Sequence, residues 1–210
     1  VNSLPRILLI TDRTQVKTSV EEVVREVCGK AGCGWILLRE RDLGAEERRA
    51  LVGRLRDAMR GCDAKLSISA DAELAAEIGA AGVHLQRIAD VASARRLLPE
   101  GWIGVSAHSV DDVRAAKAAN ADYVTLSPIF PSESKPGYGP PLGLEAIREA
   151  SALGIPVLAL GGVTPRSAHS CIEAGAHGLA IMGTVMRSND PRATIREYAS
   201  AFATGSRRAG

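Results

Sequence analysis

Two guanidinium groups stand two residues apart in Leu38-Arg39-Glu40-Arg41-Asp42. At the end of a strand such a pair makes a fork for phosphate or carboxylate. The same spacing also fits a salt-bridged strand end, with Glu40 and Asp42 as local partners. Further along, Leu158-Ala159-Leu160-Gly161-Gly162-Val163-Thr164-Pro165 precedes Ala180-Ile181-Met182-Gly183-Thr184. A Gly-Gly turn offers bare backbone N–H groups, and Met182 and Gly183 add donors at a helix start, so the guest they suit is a phosphate. A tight turn chosen for packing explains the glycine pair but not its later partner. In Gly104-Val105-Ser106-Ala107-His108-Ser109-Val110-Asp111-Asp112, Ser109 and Asp112 form a helix N-terminal capping pattern. His108 stands just before that cap, where an imidazole can take and return a proton near neutral pH or serve as a structural hydrogen bonder. Finally, Ser132, Ser134 and Lys135 bring two hydroxyls and an ammonium together in a long loop from Ser127 to Pro141. Loops of that length in a compact domain are usually lids or binding loops.

These residues need elements to hold them. Short aliphatic runs at 6–11, 35–39, 65–69, 82–85, 102–105, 122–127, 156–160 and 177–182 alternate with helical stretches such as 45–60, 72–79, 110–119, 144–153 and 165–174. Strand runs this apolar suit a parallel sheet buried on both faces. Eight strand–helix units predict an α/β fold, a (β/α)₈ TIM barrel forming a single domain over residues 1–210, with a frayed tail at 205–210. A doubly wound sheet would place a glycine fingerprint after the first strand, where Ile10-Thr11-Asp12-Arg13 stands instead. Three phrases, around Gly29–Gly34, Gly79–Gly82 and Gly175–Gly178, end a helix in glycine and turn at once into a strand, marking the stability face of the barrel. The opposite face collects Arg39, Arg41, Ser69, Asp71, Ser106, His108, Gly161, Gly162, Met182 and Gly183. That enrichment in donors and cations points to an anionic small molecule.

Composition narrows the classes. Lys plus Arg total 26 against 24 Asp plus Glu, with both signs scattered, so bulk charge gives no support to a nucleic-acid or membrane-surface role. Aromatic residues are only 3%, too few for a base-stacking surface. No apolar run approaches the roughly 20 residues that span a bilayer. The opening Val1-Asn2-Ser3-Leu4-Pro5-Arg6 lacks a secretory pattern, and Cys28, Cys33, Cys62 and Cys171 show no ligand spacing. The expectation is a cytoplasmic enzyme with buried or incidental thiols, and whether it forms a homo-oligomer is left open.

Taken together, the motifs resemble the thiamine phosphate synthase and thiazole tautomerase (TenI) superfamily. The resemblance runs from Leu8-Leu9-Ile10-Thr11-Asp12 to Ala180-Ile181-Met182. It is carried by Gly82-Val83-His84-Leu85, Gly104 to Ser109, Ala121-Asp122-Tyr123-Val124, Ser127 to Lys135, and the Gly161-Gly162 turn. For a synthase it implies that a carbocation-like pyrimidine forms as pyrophosphate leaves and is captured by a thiazole phosphate nitrogen. Arg39, Ser106, Ser132, Ser134 and Lys135 match phosphate- or pyrophosphate-side positions, and Arg41 replaces a lysine. Mg²⁺ would then hold the pyrophosphate. The family's Asn-Asp pair reads Ser69-Ala70 here, however, and its later Asp reads Ala89. Asp71 and Asp90 lie one step beyond, and one step at a helix start swings a side chain by about 100°. Both aspartates are therefore expected to cap helices, and to bind metal only if the site has been rebuilt. Those absences and His108 favour the tautomerase branch, in which no cofactor is needed and His108 moves a proton in a thiazole carboxylate phosphate. The synthase with Mg²⁺ is the alternative, and a non-catalytic phosphate-binding relative the second alternative.

Overall fold

The computed structural model describes residues 3–131 and 140–203. Eight strands close into a parallel barrel in chain order: β1 (Ile7–Ile10), β2 (Trp35–Leu38), β3 (Lys65–Ser69), β4 (Gly82–Leu85), β5 (Trp102–Ala107), β6 (Tyr123–Leu126), β7 (Val157–Ala159) and β8 (Gly178–Ile181). Helices α1 (Val20–Val27), α2 (Ala45–Ala58), α3 (Ala72–Glu77), α4 (Val91–Leu97), α5 (Val110–Ala118), α6 (Gly143–Ser151) and α7 (Pro165–Glu173) follow the first seven strands. The short α8 (Gly183–Met186) and the longer α9 (Pro191–Ser200) follow the last. The expected fold is present. β5 runs two residues further than its apolar pattern, because Ser106 and Ala107 keep pairing with Thr125 and Leu126 of β6.

Two apolar layers explain the uninterrupted aliphatic runs. Ile7 and Leu9 of β1, Ile36 and Leu38 of β2, and Val83 and Leu85 of β4 join the buried shell beneath the helices. Leu8, Ile10, Trp35, Leu37, Tyr123, Leu158 and Ala180 form a second cluster inside the barrel. Both faces are apolar, so the period of two is hidden in composition while it operates in space. Trp35 packs edge-on against Trp102 and Tyr123, with ring centroids 5.1 and 4.8 Å away. Its indole Nε1–H donates to Ser67 Oγ at 2.8 Å. Gly104 is what admits Tyr123, because a Cβ there would lie 2.0 Å from the tyrosine ring.

Two of the three glycine phrases behave as their spacing predicts. Gly79 (φ 60°) and Gly175 (φ 103°) follow the last turns of α3 and α7 in the left-handed conformation. The first differs: α1 ends at Val27, and a 3₁₀ turn over Gly29–Ala31 comes between helix and strand. Among the described residues no helix is long and apolar enough to cross a membrane. Cys28, Cys33 and Cys171 are buried free thiols, held protonated by burial, while Cys62 is half-buried.

Candidate active site

The β2 end carries Arg39, half-buried, with its backbone N–H donating to the buried Thr11 hydroxyl at 3.0 Å. Its guanidinium reaches over β1 to 3.9 Å from Met182 Sδ, beyond β8. Glu40 and Asp42 are not its partners. Arg13, after β1, takes both: its backbone N–H and guanidinium bind Glu40 at 3.0 and 3.3 Å, and the guanidinium meets Asp42 at 2.7 Å. The salt-bridged strand end therefore exists, but Arg13 supplies its cation. Among the described residues neither Arg39 nor Arg41 has a carboxylate partner. Partial burial, then the like charges of Arg39 and Arg48, lower the proton affinity of Arg41 below its ordinary value.

Around the next three strands the interior is polar. His84 on β4 is 6% exposed. Its Nδ1 lies 3.1 Å from Tyr123 Oη, and its Nε2 lies 3.1 Å from Ser106 Oγ and 3.2 Å from Thr125 Oγ1. Burial, with a smaller contribution from the Arg41 charge, pushes the His84 imidazole down to about 4, so it is neutral near pH 7. The network fixes the Ser106 hydroxyl just below the mouth. Ser69, buried at the end of β3, lies beside it in the strand order, since Ser69 pairs with His84.

His108 stands at the end of β5 as predicted. Its backbone N–H is held by Asp112 Oδ2 at 2.8 Å, and Ser109 Oγ accepts from the Asp112 N–H at 3.1 Å, so the capping pattern is real and also anchors the histidine. Nδ1 lies 2.9 Å from the Ser127 carbonyl. A carbonyl can only accept, so the neutral ring carries its proton on Nδ1 and its lone pair on Nε2.

Across the mouth, Gly161 (φ 85°) and Gly162 (φ 68°) follow β7. A Cβ on Gly162 would meet the Pro131 and Phe130 carbonyl oxygens at 2.4 and 2.6 Å, and one on Gly161 would meet Pro128 Cα at 2.8 Å. The glycines are thus required by the chain from 128 to 131, which crosses directly over them. Packing demands the pair whatever the ligand. Gly183 opens α8, with the Arg187 guanidinium over its Cα. Ser132, Ser134 and Lys135 lie outside the described residues, as does the tail at 205–210.

The thiamine monophosphate synthase family matches residues 7–185. The chain belongs to that family. Thiamine-phosphate synthase of Bacillus velezensis is 35% identical over 188 residues, 86% of this chain and 84% of that protein. The bifunctional ThiM/ThiE protein of thiamine biosynthesis from Symbiobacterium thermophilum is 38% identical over 176 residues, 82% of this chain but 37% of that longer protein. The solved thiamine phosphate pyrophosphorylase of Pyrococcus furiosus superposes with a TM-score of 0.83 at 26% identity, covering 95% and 96% of the two chains. The chain is therefore a barrel of a family of thiamine-synthesis enzymes. The comparisons name the synthase, and none of these names the tautomerase.

The divalent cation implied by the family resemblance finds a poor donor set. Ala70 and Ala89 present methyl groups. Asp71 caps α3, accepting from the Leu74 N–H at 2.8 Å, and pairs with Arg48 at 2.9 Å. Asp90 does not cap α4 with its side chain, contrary to expectation; its backbone is already helical, and the Arg87 fork binds both its oxygens, at 2.6 and 3.0 Å. Among the described residues no three His, Cys, Asp or Glu side chains gather as a metal site. These residues do not fit a hard cation that wants several carboxylate and carbonyl oxygens.

Three participants escaped the sequence reading. Arg13 entered only as part of the stretch that replaces a glycine fingerprint, and it is a structural cation. Arg48 looked like an ordinary helix arginine and reaches the β3 end. His84 is the centre of the interior network, and its phase marks it: Val83 and Leu85 point to the helices, so His84 must point inward.

Proposed function

We propose that this chain catalyses the coupling reaction named in its relatives, joining a hydroxymethylpyrimidine pyrophosphate to a thiazole phosphate. The observation that carries the proposal is the two-sided mouth. Guanidinium groups with no carboxylate ion pair among the described residues stand at β2, and a backbone-built glycine turn lies across from them beyond β7. One side suits a pyrophosphate held by side chains, the other a phosphate ester held by N–H groups of Gly161, Gly162 and Gly183. The relatives' names add to it.

In the coupling, the C–O bond between the pyrimidine methylene and pyrophosphate breaks, and its electron pair leaves with the pyrophosphate. The thiazole nitrogen lone pair then forms the new C–N bond, and the product keeps the positive charge on the thiazolium ring. Arg39 and Arg41 stabilise the negative charge growing on the departing group. The interior wall suits the opposite pole. A neutral His84, with the Ser106 and Thr125 hydroxyls, places dipoles just beneath the mouth and adds no cation against a developing pyrimidine cation.

One observation favours a second reading, the tautomerase. The Nδ1 bond to the Ser127 carbonyl orients the His108 ring with its basic nitrogen at Nε2, as proton shuttling requires. Incubation with both phosphorylated substrates, with product identification, separates the two. Thiamine phosphate and an equal amount of pyrophosphate are expected, with His108→Asn close to the parent rate. Conversion of the thiazole carboxylate phosphate tautomer by the parent, lost in His108→Asn and with no coupling, would overturn the proposal in favour of the tautomerase.

A further inference from the structure

Arg48 lies in the first turns of α2, where a cation opposes the helix dipole, and its side chain is only 12% exposed. One terminal nitrogen donates to Asp71 Oδ2 at 2.9 Å, the other to the Ser69 carbonyl at 3.3 Å. Its Nε–H is buried and has no acceptor among the described residues. A guanidinium carries five donors, and among the described residues two are engaged. An arginine drawn inward against its helix dipole, with donors unspent, is poised for an acceptor that comes from elsewhere.

The surrounding charges say what kind. Arg39 and Arg41 follow β2, and Arg48 reaches the end of the neighbouring β3, where Leu38 pairs with Ile68. The three stand at adjacent strand ends, near enough that Arg41 feels the other two. Glu40 and Asp42 are occupied by Arg13, and Asp71 divides its oxygens between Arg48 and the α3 cap. Asp12, after β1, feels the Arg39 charge but spends its oxygens on Thr14 and Gln15, so among the described residues Asp71 is the one carboxylate in contact with any of the three guanidinium groups. We propose that Arg48 completes, with Arg39 and Arg41, a site for a pyrophosphate group that needs no metal ion. Arg48 donates to the carbonyl next to Ala70, one of the two positions where a metal-binding carboxylate is missing. A fixed guanidinium thus brings positive charge to the rim where those carboxylates would have recruited a cation.

The inference rests on the synthase reading for its ligand, but pyrophosphate binding is measured without turnover. Calorimetry with inorganic pyrophosphate is run in EDTA and again with Mg²⁺, with orthophosphate as the control for the glycine side. The parent should bind pyrophosphate equally in both buffers. Arg48→Gln keeps length and polarity and should weaken pyrophosphate by about tenfold or more while leaving orthophosphate unchanged. Arg48→Lys should fall between. Parent binding that appears only with Mg²⁺ overturns the proposal, and so does a folded Arg48→Gln protein of unchanged affinity. If Arg48→Gln does not fold, the parent's Mg²⁺ dependence and Arg48→Lys still decide. Metal-free pyrophosphate binding without any coupling would keep this site and refute the synthase reading.

Discussion

Beneath the β7–β8 rim the barrel is filled by Leu8, Ile10, Leu158 and Ala180, while beneath the β3–β6 rim it holds Ser67, Ser69, His84, Ser106 and Thr125. The two halves therefore meet a ligand differently. On the apolar side the main-chain N–H groups of the glycine turns are offered to an anion, beside the Arg187 guanidinium at Gly183, and Gly161 and Gly162 are held by the crossing chain at 128–131. On the polar side, side chains do the binding, and they are fixed through one another, His84 to Tyr123, Ser106 and Thr125. Substitution of the turn glycines Gly161 and Gly162 should thus harm the first half through folding, and side-chain changes should harm the second through affinity and titration.

The largest expected effect breaks the apolar half. Gly162→Val puts a branched side chain at φ 68° and drives its Cβ into two carbonyl oxygens. A left-handed non-glycine residue costs roughly 1–2 kcal/mol and overpacking about 1–3 more. For a chain this size that lowers Tm by on the order of 10 °C in a calorimetric scan. Gly183→Ala is its counterpart. Only the end of the Arg187 side chain must move, so Tm should hold while phosphate-ester affinity falls. Equal Tm losses in the two variants would mean that the glycines of this rim are not divided between packing and binding.

Next in size is a loss confined to the other rim. Arg39→Ala removes a charge-assisted donor and should weaken inorganic pyrophosphate by about 10–100-fold, leaving a thiazole phosphate ester nearly unaffected. Parallel losses for both ligands by calorimetry would merge the two sides into one site.

The barrel itself, and the strand ends that carry Arg39, His108 and the glycine turn, were legible because strand ends in such a fold are fixed by the apolar runs. The cap joining His108, Ser109 and Asp112 was legible too, as was Asp71 at the start of α3, since capping is local chemistry. Pairings across the barrel were not. Glu40 finds Arg13, 27 residues earlier, through strand adjacency that spacing within one segment cannot reveal. Asp90 shows the opposite limit: Arg87, three residues before it, outcompetes the helix end for its oxygens. Arg48 read as one of several arginines on an exposed helix, and only the packing of α2 against the β3 end turns it inward.

A smaller effect tests the polar half through pH. His84 is neutral in the folded barrel and ordinary in the unfolded chain, so between about pH 6.5 and 4 only the unfolded state takes up its proton. Its contribution to stability is complete above that window and is lost as pH falls through it. From pH 6.5 to 5.5, before most carboxylates titrate, the parent should lose about 1 kcal/mol. His84→Gln should start less stable, because three hydroxyls lose a partner, and should show a flatter profile over the same unit. Identical slopes for parent and variant in denaturant titrations at the two pH values would remove His84 as the source.

The smallest effect concerns a residue that belongs to neither half's chemistry but records what the polar rim is shaped for. Ala70 has φ 59°, a left-handed conformation that alanine disfavours and that Asn and Asp adopt several times more readily. Its N–H is tied to the His84 carbonyl at 2.9 Å, so the strand ends impose this geometry on whatever residue stands there. Ala70 is exposed, leaving room for a longer side chain. Ala70→Asn should therefore raise stability by about 0.5–1 kcal/mol, or roughly 1–4 °C in Tm. Asn brings no charge, so it should not compete with a ligand for Arg48, and pyrophosphate affinity should stay near the parent value. Ala70→Asp shares the backbone gain but places a carboxylate beside Arg48, and pyrophosphate should then bind more weakly. A lower Tm for Ala70→Asn would show that this backbone is not strained. Equal pyrophosphate affinity for the Asn and Asp variants would show that charge at position 70 is not felt at the guanidinium cluster.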